Sequence, residues 1–331
     1  MKICIIGGGS LGHVCAAVIG EDPSCKVSLL TGHPQSWGHE ISATDPFGKI
    51  YRGRIERISD RPEDVVAGND IVLLCLPGFL IGKALDDIRP YVGSAAVGTI
   101  VSSTGFFFMA PGILGENAPI FGFQRVPFIS RVSQYGRSAN LLGYKDSLAI
   151  ATKNISGPAG LAASLESVLH TPVRLLGNIF EAALSNSNPI LHTGRLYSML
   201  HGRETAVFDH LVMFYKEWDD PSSETILAMD DELSALMKVL GVSGIPSLLE
   251  YYESTDAASL TRKISSIPAF QAIAAPMKAV PGGWTADFES RYFTEDFPFG
   301  LRYIKELCSK HGVPAPTVEK VYGWGMEQLG G

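Results

Sequence analysis

The sequence predicts an α/β protein, a doubly wound parallel sheet in its first half followed by an all-helical C-terminal domain. Three observations carry this expectation. Apolar, strand-like runs alternate with helix-like segments through the first half. The strongest run, Ile71 to Leu76 (Ile-Val-Leu-Leu-Cys-Leu), has no polar position, as expected of a parallel strand covered on both faces. From Gly177 onward the texture changes to apolar residues at helical spacing. The expected domains are residues 1–176 and 177–331, and a chain of 331 residues is long enough for both.

Met1 to Ile6 is a short apolar run of strand composition. It leads into Gly7-Gly8-Gly9-Ser10-Leu11-Gly12, and His13 to Gly20 then reads as an alanine-rich helix. Strand, glycine loop and helix together are the context in which GxGxxG marks a dinucleotide site. Gly7 permits the tight turn, Gly9 lets the backbone approach a pyrophosphate, and Gly12 lets helix and strand pack closely. The helix N-terminus, with Ser10 and Leu11, offers N–H groups and partial positive charge to the phosphates.

Lys26 to Leu30 reads as the second strand. Ile71 to Leu76 ends at Pro77-Gly78, and Phe79 to Ile88 follows as a helix. Ala95 to Val101 and Ile120 to Phe123 read as further strands, with Ser147 to Thr152 and Pro172 to Leu176 as candidates later on. Ligands of such sheets sit beyond the carboxyl ends of the strands. The loops after Ile6, Leu30, Leu76 and Val101 are therefore expected to line a cofactor cleft, with Leu76 and Pro77 on its wall. In the second half, Asn178 to Leu200, Ser222 to Leu240 and Phe299 to His311 carry helical spacing. Leu260 to Ile264 and Pro316 to Leu329 read as shorter helices.

NAD-binding folds of this kind place an acid about 20 residues past the glycine loop, on the ribose hydroxyls. Here the second strand runs out as Leu29-Leu30-Thr31-Gly32-His33. A hydroxyl at Thr31 tolerates a 2′-phosphate that a carboxylate would repel, and His33 can add a donor. The expected cofactor is NADP, with NAD as the alternative.

Hydrophobic residues make up 46% of the chain and charged residues 18%, the profile of a globular protein with a sizeable core. A net charge of −7 argues against nucleic acid as the main partner. No run approaches the roughly 18 apolar residues of a membrane span. The five cysteines are scattered with no CxxC spacing, which points to a reducing, cytoplasmic setting. No His, Cys or carboxylate cluster has the spacing of metal ligands. A homodimer is compatible with the sequence, which leaves the oligomeric state open.

Two segments of the second half carry chemistry. The first is Asn186-Ser187-Asn188-Pro189-Ile190-Leu191-His192-Thr193-Gly194. Pro189 is expected to break or kink the helix, leaving His192 beside a disrupted turn. An imidazole titrating near neutrality suits proton donation and acceptance; equally, it can merely pack. The second is Glu289 to Leu301, with Arg291, Glu295, Asp296 and Pro298. Asp296 before Pro298 reads as a helix N-cap, as a partner that orients and charges a histidine, or as both at once. Arg291 offers a planar fork for a carboxylate, or a surface pair with Glu289 or Glu295. Asp219, Asp220, Asp230 and Asp231 are expected on a solvated surface, although they can also favour a basic substrate.

These residues resemble the opine dehydrogenases of the octopine and nopaline type. That family pairs a Rossmann glycine loop with an Asn-Pro-x-x-His segment opening a helical domain, matched by Asn188-Pro189 and His192. Further on it carries an Arg-Tyr-x-x-Glu-Asp-x-Pro-x-Gly-Leu segment, matched from Arg291-Tyr292 to Gly300-Leu301. The resemblance implies NAD(P)H-dependent reductive condensation of an amino acid with a 2-keto acid. It implies His192 as acid–base residue, Asp296 as its partner, and Arg291 and Asn188 as substrate contacts. Arg131 resembles a family position at the cleft edge, where Arg125 could serve equally. The family often has Pro after the histidine; Thr193-Gly194 here implies a different loop shape. Ketopantoate-reductase-like and 3-hydroxyacid dehydrogenases share the glycine loop but typically use a lysine early in the helical domain, and none lies between Gly177 and Leu200. A non-catalytic NADP-binding sensor would keep the loop while holding His192 and Asp296 apart.

Overall fold

The computed structural model of the chain describes residues 1–102 and 105–330. Ser103 and Thr104, in the predicted cleft loop after Val101, and Gly331, which ends the predicted helical domain, lie outside the described residues. The chain divides into two compact units, Met1–Ala183 and Leu184–Gly331.

The first unit begins with β1 (Lys2–Ile6), α1 (Ser10–Ile19), β2 (Lys26–Leu30), β3 (Glu40–Thr44), β4 (Ile50–Ser59), α2 (Pro62–Val65), β5 (Ile71–Leu74) and α3 (Gly78–Ile88). It continues with β6 (Ala96–Thr99), α4 (Phe106–Leu114), β7 (Ile120–Phe123), β8 (Phe128–Gln134), β9 (Ser138–Tyr144) and β10 (Leu148–Lys153). It closes with α5 (Pro158–Leu169), β11 (Val173–Leu175) and α6 (Ile179–Ala183). The strands form one sheet in the order β11-β10-β7-β6-β5-β1-β2-β4-β3-β9-β8. From β4 through β2, β1, β5 and β6 to β7 every pairing is parallel. This is the 3-2-1-4-5-6 order of dinucleotide-binding sheets, and it puts the topological switch point between β1 and β5. Successive residues of β1 point to opposite faces. Ile3 and Ile5 enter the core with α1 and α5, and Cys4 and Ile6 the core with α3 and α4.

Sequence reading did not place β3 and β4. The reason is the pattern sought. β4 is not a continuous apolar run; Tyr51, Gly53 and Ile55 are buried while Arg52, Arg54 and Glu56 alternate with them toward solvent. Its period of two was the available signal. The β3–β4 and β8–β9 hairpins make the sheet mixed, and both pack on α1. Every residue of α1 from Gly12 to Ile19 is consequently buried. The helix starts at Ser10, earlier than its apolar residues suggest, because the glycine loop ends at Gly9.

The second unit contains α7 (Asn188–Leu200), α8 (Asp220–Val239), α9 (Leu248–Tyr251), α10 (Ala257–Ser266), the hairpin β12 (Met277–Val280) and β13 (Gly283–Ala286), and α11 (Arg291–Thr294). A π-helical turn, Phe297–Leu301, then runs into α12 (Arg302–His311), and α13 (Pro316–Gln328) follows. One expectation needs correction. The domain is helical but not wholly so, since Gly282 and Gly283, at φ of 90° and 151°, turn the chain into the β12–β13 hairpin. The Asn178 to Leu200 segment, expected to break or kink at Pro189, is interrupted just before it, residues 184–187 separating α6 from α7. Pro189 sits in the first turn of α7, where its missing N–H costs nothing.

The acidic residues of α8 are not all solvated. Asp219 caps the helix by accepting from the Ser222 N–H at 3.0 Å. Asp230 is buried and accepts from the Leu248 N–H at 2.8 Å, tying α9 to α8. Burial pushes its carboxyl up from 3.8 to about 6. The folded state thus holds this proton more tightly than the unfolded chain. The ionisation cost is absent below the unfolded value, grows as pH rises and is complete above about 6. Asp230→Asn keeps an acceptor for Leu248 without the charge. Its stability relative to the parent should rise by about 1–3 kcal/mol between pH 4 and pH 8. Denaturant melts across that range check this; a gap independent of pH contradicts it.

Candidate active site

His192 lies one turn into α7. Its Nδ1 is 2.8 Å from a carboxylate oxygen of Asp296, and its Nε2 is 2.8 Å from the hydroxyl of Tyr215. The carboxylate can only accept, so Nδ1 carries the proton and donates it to Asp296. With Nδ1 as the donor, Nε2 of the neutral ring is the acceptor for the Tyr215 O–H. The His192 and Asp296 side chains are 12% and 20% exposed, open enough for a small molecule yet dry enough for the pair to interact strongly. Tyr292 lies against the imidazole, ring centroids 4.6 Å apart, with Phe214 at 5.8 Å.

Packing explains how Asp296 reaches His192. A Cβ on Gly300 would lie 2.7 Å from Pro189 Cγ, so the π-helical turn can seat on the start of α7 only because residue 300 is glycine. A Cβ on Gly325 would overlap the Phe297 ring, so α13 supports the same turn from behind. Asp296 stands at the N-cap position with helical backbone angles and makes no side-chain cap. The capping reading is therefore corrected: the carboxylate is turned to the imidazole.

Sequence reasoning missed Tyr215 and the residue that holds its loop, Arg195. Arg195 lies on α7 one turn past His192 and is only 2% exposed. Its guanidinium donates to the Asp219 carboxylate at 2.9 Å, to Ser222 Oγ at 2.7 Å and to the Glu217 carbonyl at 2.5 Å. Desolvation pulls its pKa down, opposed by Asp219 and Glu217. The available signal was an arginine within the apolar stretch from Leu191 to Leu200, which demands a buried partner.

Thr193 and Gly194 do not form a loop. Both continue α7: the Thr193 hydroxyl donates to the Pro189 carbonyl, and a Cβ on Gly194 would lie 2.6 Å from Ile226 Cγ2, so α8 packs closely there. Asn188 is exposed at the first residue of α7, one turn before His192. Arg291 is 77% exposed and bonded to Glu295 through Nε at 3.1 Å and Nη2 at 2.9 Å, the surface pair that its spacing allowed.

In the first unit the glycine loop has the form expected. Gly7 has φ of 119°, and a Cβ there would lie 2.7 Å from the Cys75 carbonyl and 2.9 Å from Leu76 Cδ2. A Cβ on Gly12 would collide with the Gly7 carbonyl, whereas one on Gly9 would meet nothing within 4 Å. The loop is thus tight beneath and open above, and α1 has no side-chain cap competing for its first N–H groups. That geometry fits a pyrophosphate. Thr31 is buried, with its hydroxyl against Gly8, and Pro77 caps α3 beyond β5. The Ser10 hydroxyl accepts from the Val132 N–H at 3.2 Å. Its neighbour Arg131 is exposed on β8, with a guanidinium N–H on the Ser130 carbonyl at 3.1 Å. His13, unremarked in the sequence, is buried. Its Nδ1–H donates to the Gly9 carbonyl at 2.9 Å, while its Nε2 accepts from the Gly136 N–H at 2.7 Å, bracing the loop from behind. Among the described residues, no helix is long and apolar enough to cross a membrane.

Residues 175–329 match the family model for the α-helical domain of NAD/NADP octopine/nopaline dehydrogenases. Octopine dehydrogenase of Mizuhopecten yessoensis is 27% identical, with 100% of this chain and 90% of that protein covered. Tauropine dehydrogenase of Arabella iricolor is 23% identical, with 99% of this chain and 91% of that protein covered. The solved structure of octopine dehydrogenase with NADH and L-arginine superposes with a TM-score of 0.86 at 25% identity, covering 100% of this chain and 90% of that one. The second half of the chain thus matches the α-helical domain of the opine dehydrogenases, and the chain over its whole length is similar to octopine dehydrogenase.

Proposed function

We propose that the protein is an NAD(P)H-dependent dehydrogenase that condenses an amino acid with a 2-keto acid and reduces the resulting imine. The observation that carries this reading is the 2.8 Å pairing of His192 with Asp296 in a helical domain of this family. The relatives named octopine and tauropine dehydrogenase, and the octopine dehydrogenase structure with NADH and L-arginine, support it.

The first unit holds the cofactor and the second supplies the acid–base groups. Gly7, Gly9, Ser10, Leu11 and Gly12 would hold the pyrophosphate, with Leu76 and Pro77 on the wall of the cleft. Thr31, in place of the ribose acid, favours NADP over NAD. When bound, the nicotinamide supplies the hydride. Every other demand falls on the chain. The ammonium group of the amino acid must lose a proton before its lone pair can attack the carbonyl, and the carbinolamine hydroxyl must gain one to leave as water. His192 serves both steps from one position, taking the first proton and returning it in the second. Asp296 fixes the ring by holding Nδ1–H and stabilises the transient imidazolium. Arg291 retains donors beyond the two it gives Glu295, enough to take a substrate carboxylate. Asn188, one turn from His192 on the same helix face, can hold the same substrate, and Arg131, exposed on β8, is a further candidate for a substrate carboxylate.

His192→Ala should lower kcat by about 10²-fold or more while leaving NADPH affinity intact, read by steady-state kinetics and fluorescence titration. Unchanged turnover would remove the acid–base assignment. NADPH oxidation should require both a 2-keto acid and an amino acid; oxidation with the keto acid alone would instead mark a simple hydroxyacid dehydrogenase. NADPH should show the lower KM of the two cofactors, and a preference for NADH overturns the reading of Thr31. Gly9→Ala should weaken cofactor binding about tenfold or more with a small change in melting temperature, because a methyl there meets only open space. Gly12→Ala should destabilise the fold itself. Equal effects of the two on melting would contradict this account of the loop.

A further inference from the structure

The acid–base reading leaves one contact unexplained. Nδ1 of His192 is committed to Asp296, so Nε2 is the nitrogen left to exchange protons with a substrate. That nitrogen is covered by the Tyr215 hydroxyl at 2.8 Å. Either the phenol withdraws during turnover or the proton passes through it.

The surroundings oppose withdrawal. The Tyr215 ring is 5% exposed and stacks on Trp218, 5.9 Å between centroids and 5° between planes. Phe270 stacks at 4.4 Å and Phe214 meets it edge-on at 4.9 Å. The chain just beyond is pinned by Arg195 through the Glu217 carbonyl and Asp219. Arg195 and His192 share α7, so imidazole and phenol are fixed to one rigid element. Moving the phenol aside would unstack its aromatic neighbours and strain a buried guanidinium.

We propose that Tyr215 is a catalytic residue, the hydroxyl relay between His192 Nε2 and the reacting atoms of the substrate. The proposal rests on the acid–base reading of His192 above. In the first step a proton of the substrate ammonium group passes to the Tyr215 oxygen as the Tyr215 O–H proton passes to Nε2, and the imidazole becomes imidazolium. The lone pair so freed forms the C–N bond, the carbonyl π pair moves to oxygen, and an N–H proton of the adduct passes to that oxygen to give the carbinolamine. In the dehydration the imidazolium returns a proton to the Tyr215 oxygen as the phenol gives its own to the carbinolamine hydroxyl. The C–O bond breaks, water leaves, and the nitrogen lone pair closes the C=N bond. Tyr215 begins and ends each step neutral. Burial, with Tyr292, Tyr252 and Asp296 nearby, pushes the phenol's pKa far above its ordinary value. A standing phenolate is thereby disfavoured, whereas a concerted relay needs none.

Tyr215→Phe preserves the ring and its stacking and removes only the hydroxyl. The relay predicts a single-turnover rate at least about 30-fold lower, with cofactor affinity and melting temperature near those of the parent. It also predicts a change in the proton inventory in mixed H₂O and D₂O. The parent should show curvature from two protons in flight, and the variant should be linear. A rate within threefold of the parent, or an unchanged inventory, would overturn the relay. His192→Ala run alongside separates the two ideas. If it is inactive while Tyr215→Phe is active, the relay alone fails. If both are active, the acid–base reading fails. Should the Phe variant lose its fold, 3,5-difluorotyrosine at position 215 keeps the packing and makes the phenol more acidic. A pH–rate profile shifted by that replacement supports the relay, and an unmoved profile contradicts it.

Discussion

The hydrogen bond from His192 Nδ1 to Asp296 is the constraint on which the candidate site in the second unit depends. It joins residues 104 positions apart at 2.8 Å. The bond also decides the tautomer. Once Nδ1 donates to Asp296, Nε2 is the ring nitrogen left to exchange a proton, and the Tyr215 hydroxyl covers it.

That bond is maintained by apolar packing more than by its own strength. Pro189 and Gly300 meet face to face, and Gly325 admits the Phe297 ring behind them. The Asn-Pro-x-x-His segment and the Asp-x-Pro-x-Gly-Leu segment are thus two halves of one packing interface as well as two carriers of polar groups. Gly194 extends the same logic on the other side of α7, letting α8 approach and bringing Asp219 within reach of Arg195.

Much of this was legible in the sequence. Buried parallel strands announce themselves because both faces are apolar, and the glycine loop because tight turns and close approaches exclude side chains. His192 and Asp296 were legible through their local segments. What escaped shares a physical cause. β4 alternates between core and solvent, so four of its ten residues are charged, and a search for continuous apolar runs passes over it. Tyr215 belongs to no local pattern; its position comes from a loop held by distant residues, Arg195 and Ile273 among them, and an aromatic residue in a sequence does not say where its hydroxyl points. Asp296 was readable as a cap because proline in a first turn is a sound helix-start signal. The backbone there takes helical angles instead, and the carboxylate is released for another use.

The most direct test is the protonation pattern of the His192 ring, read from ¹⁵N chemical shifts of histidine-labelled protein at a pH where the imidazole is neutral. The account predicts a protonated Nδ1 and a bare, hydrogen-bonded Nε2. A ring carrying its proton on Nε2 would mean that Asp296 does not set the tautomer, and the account of the site would fail at its first step.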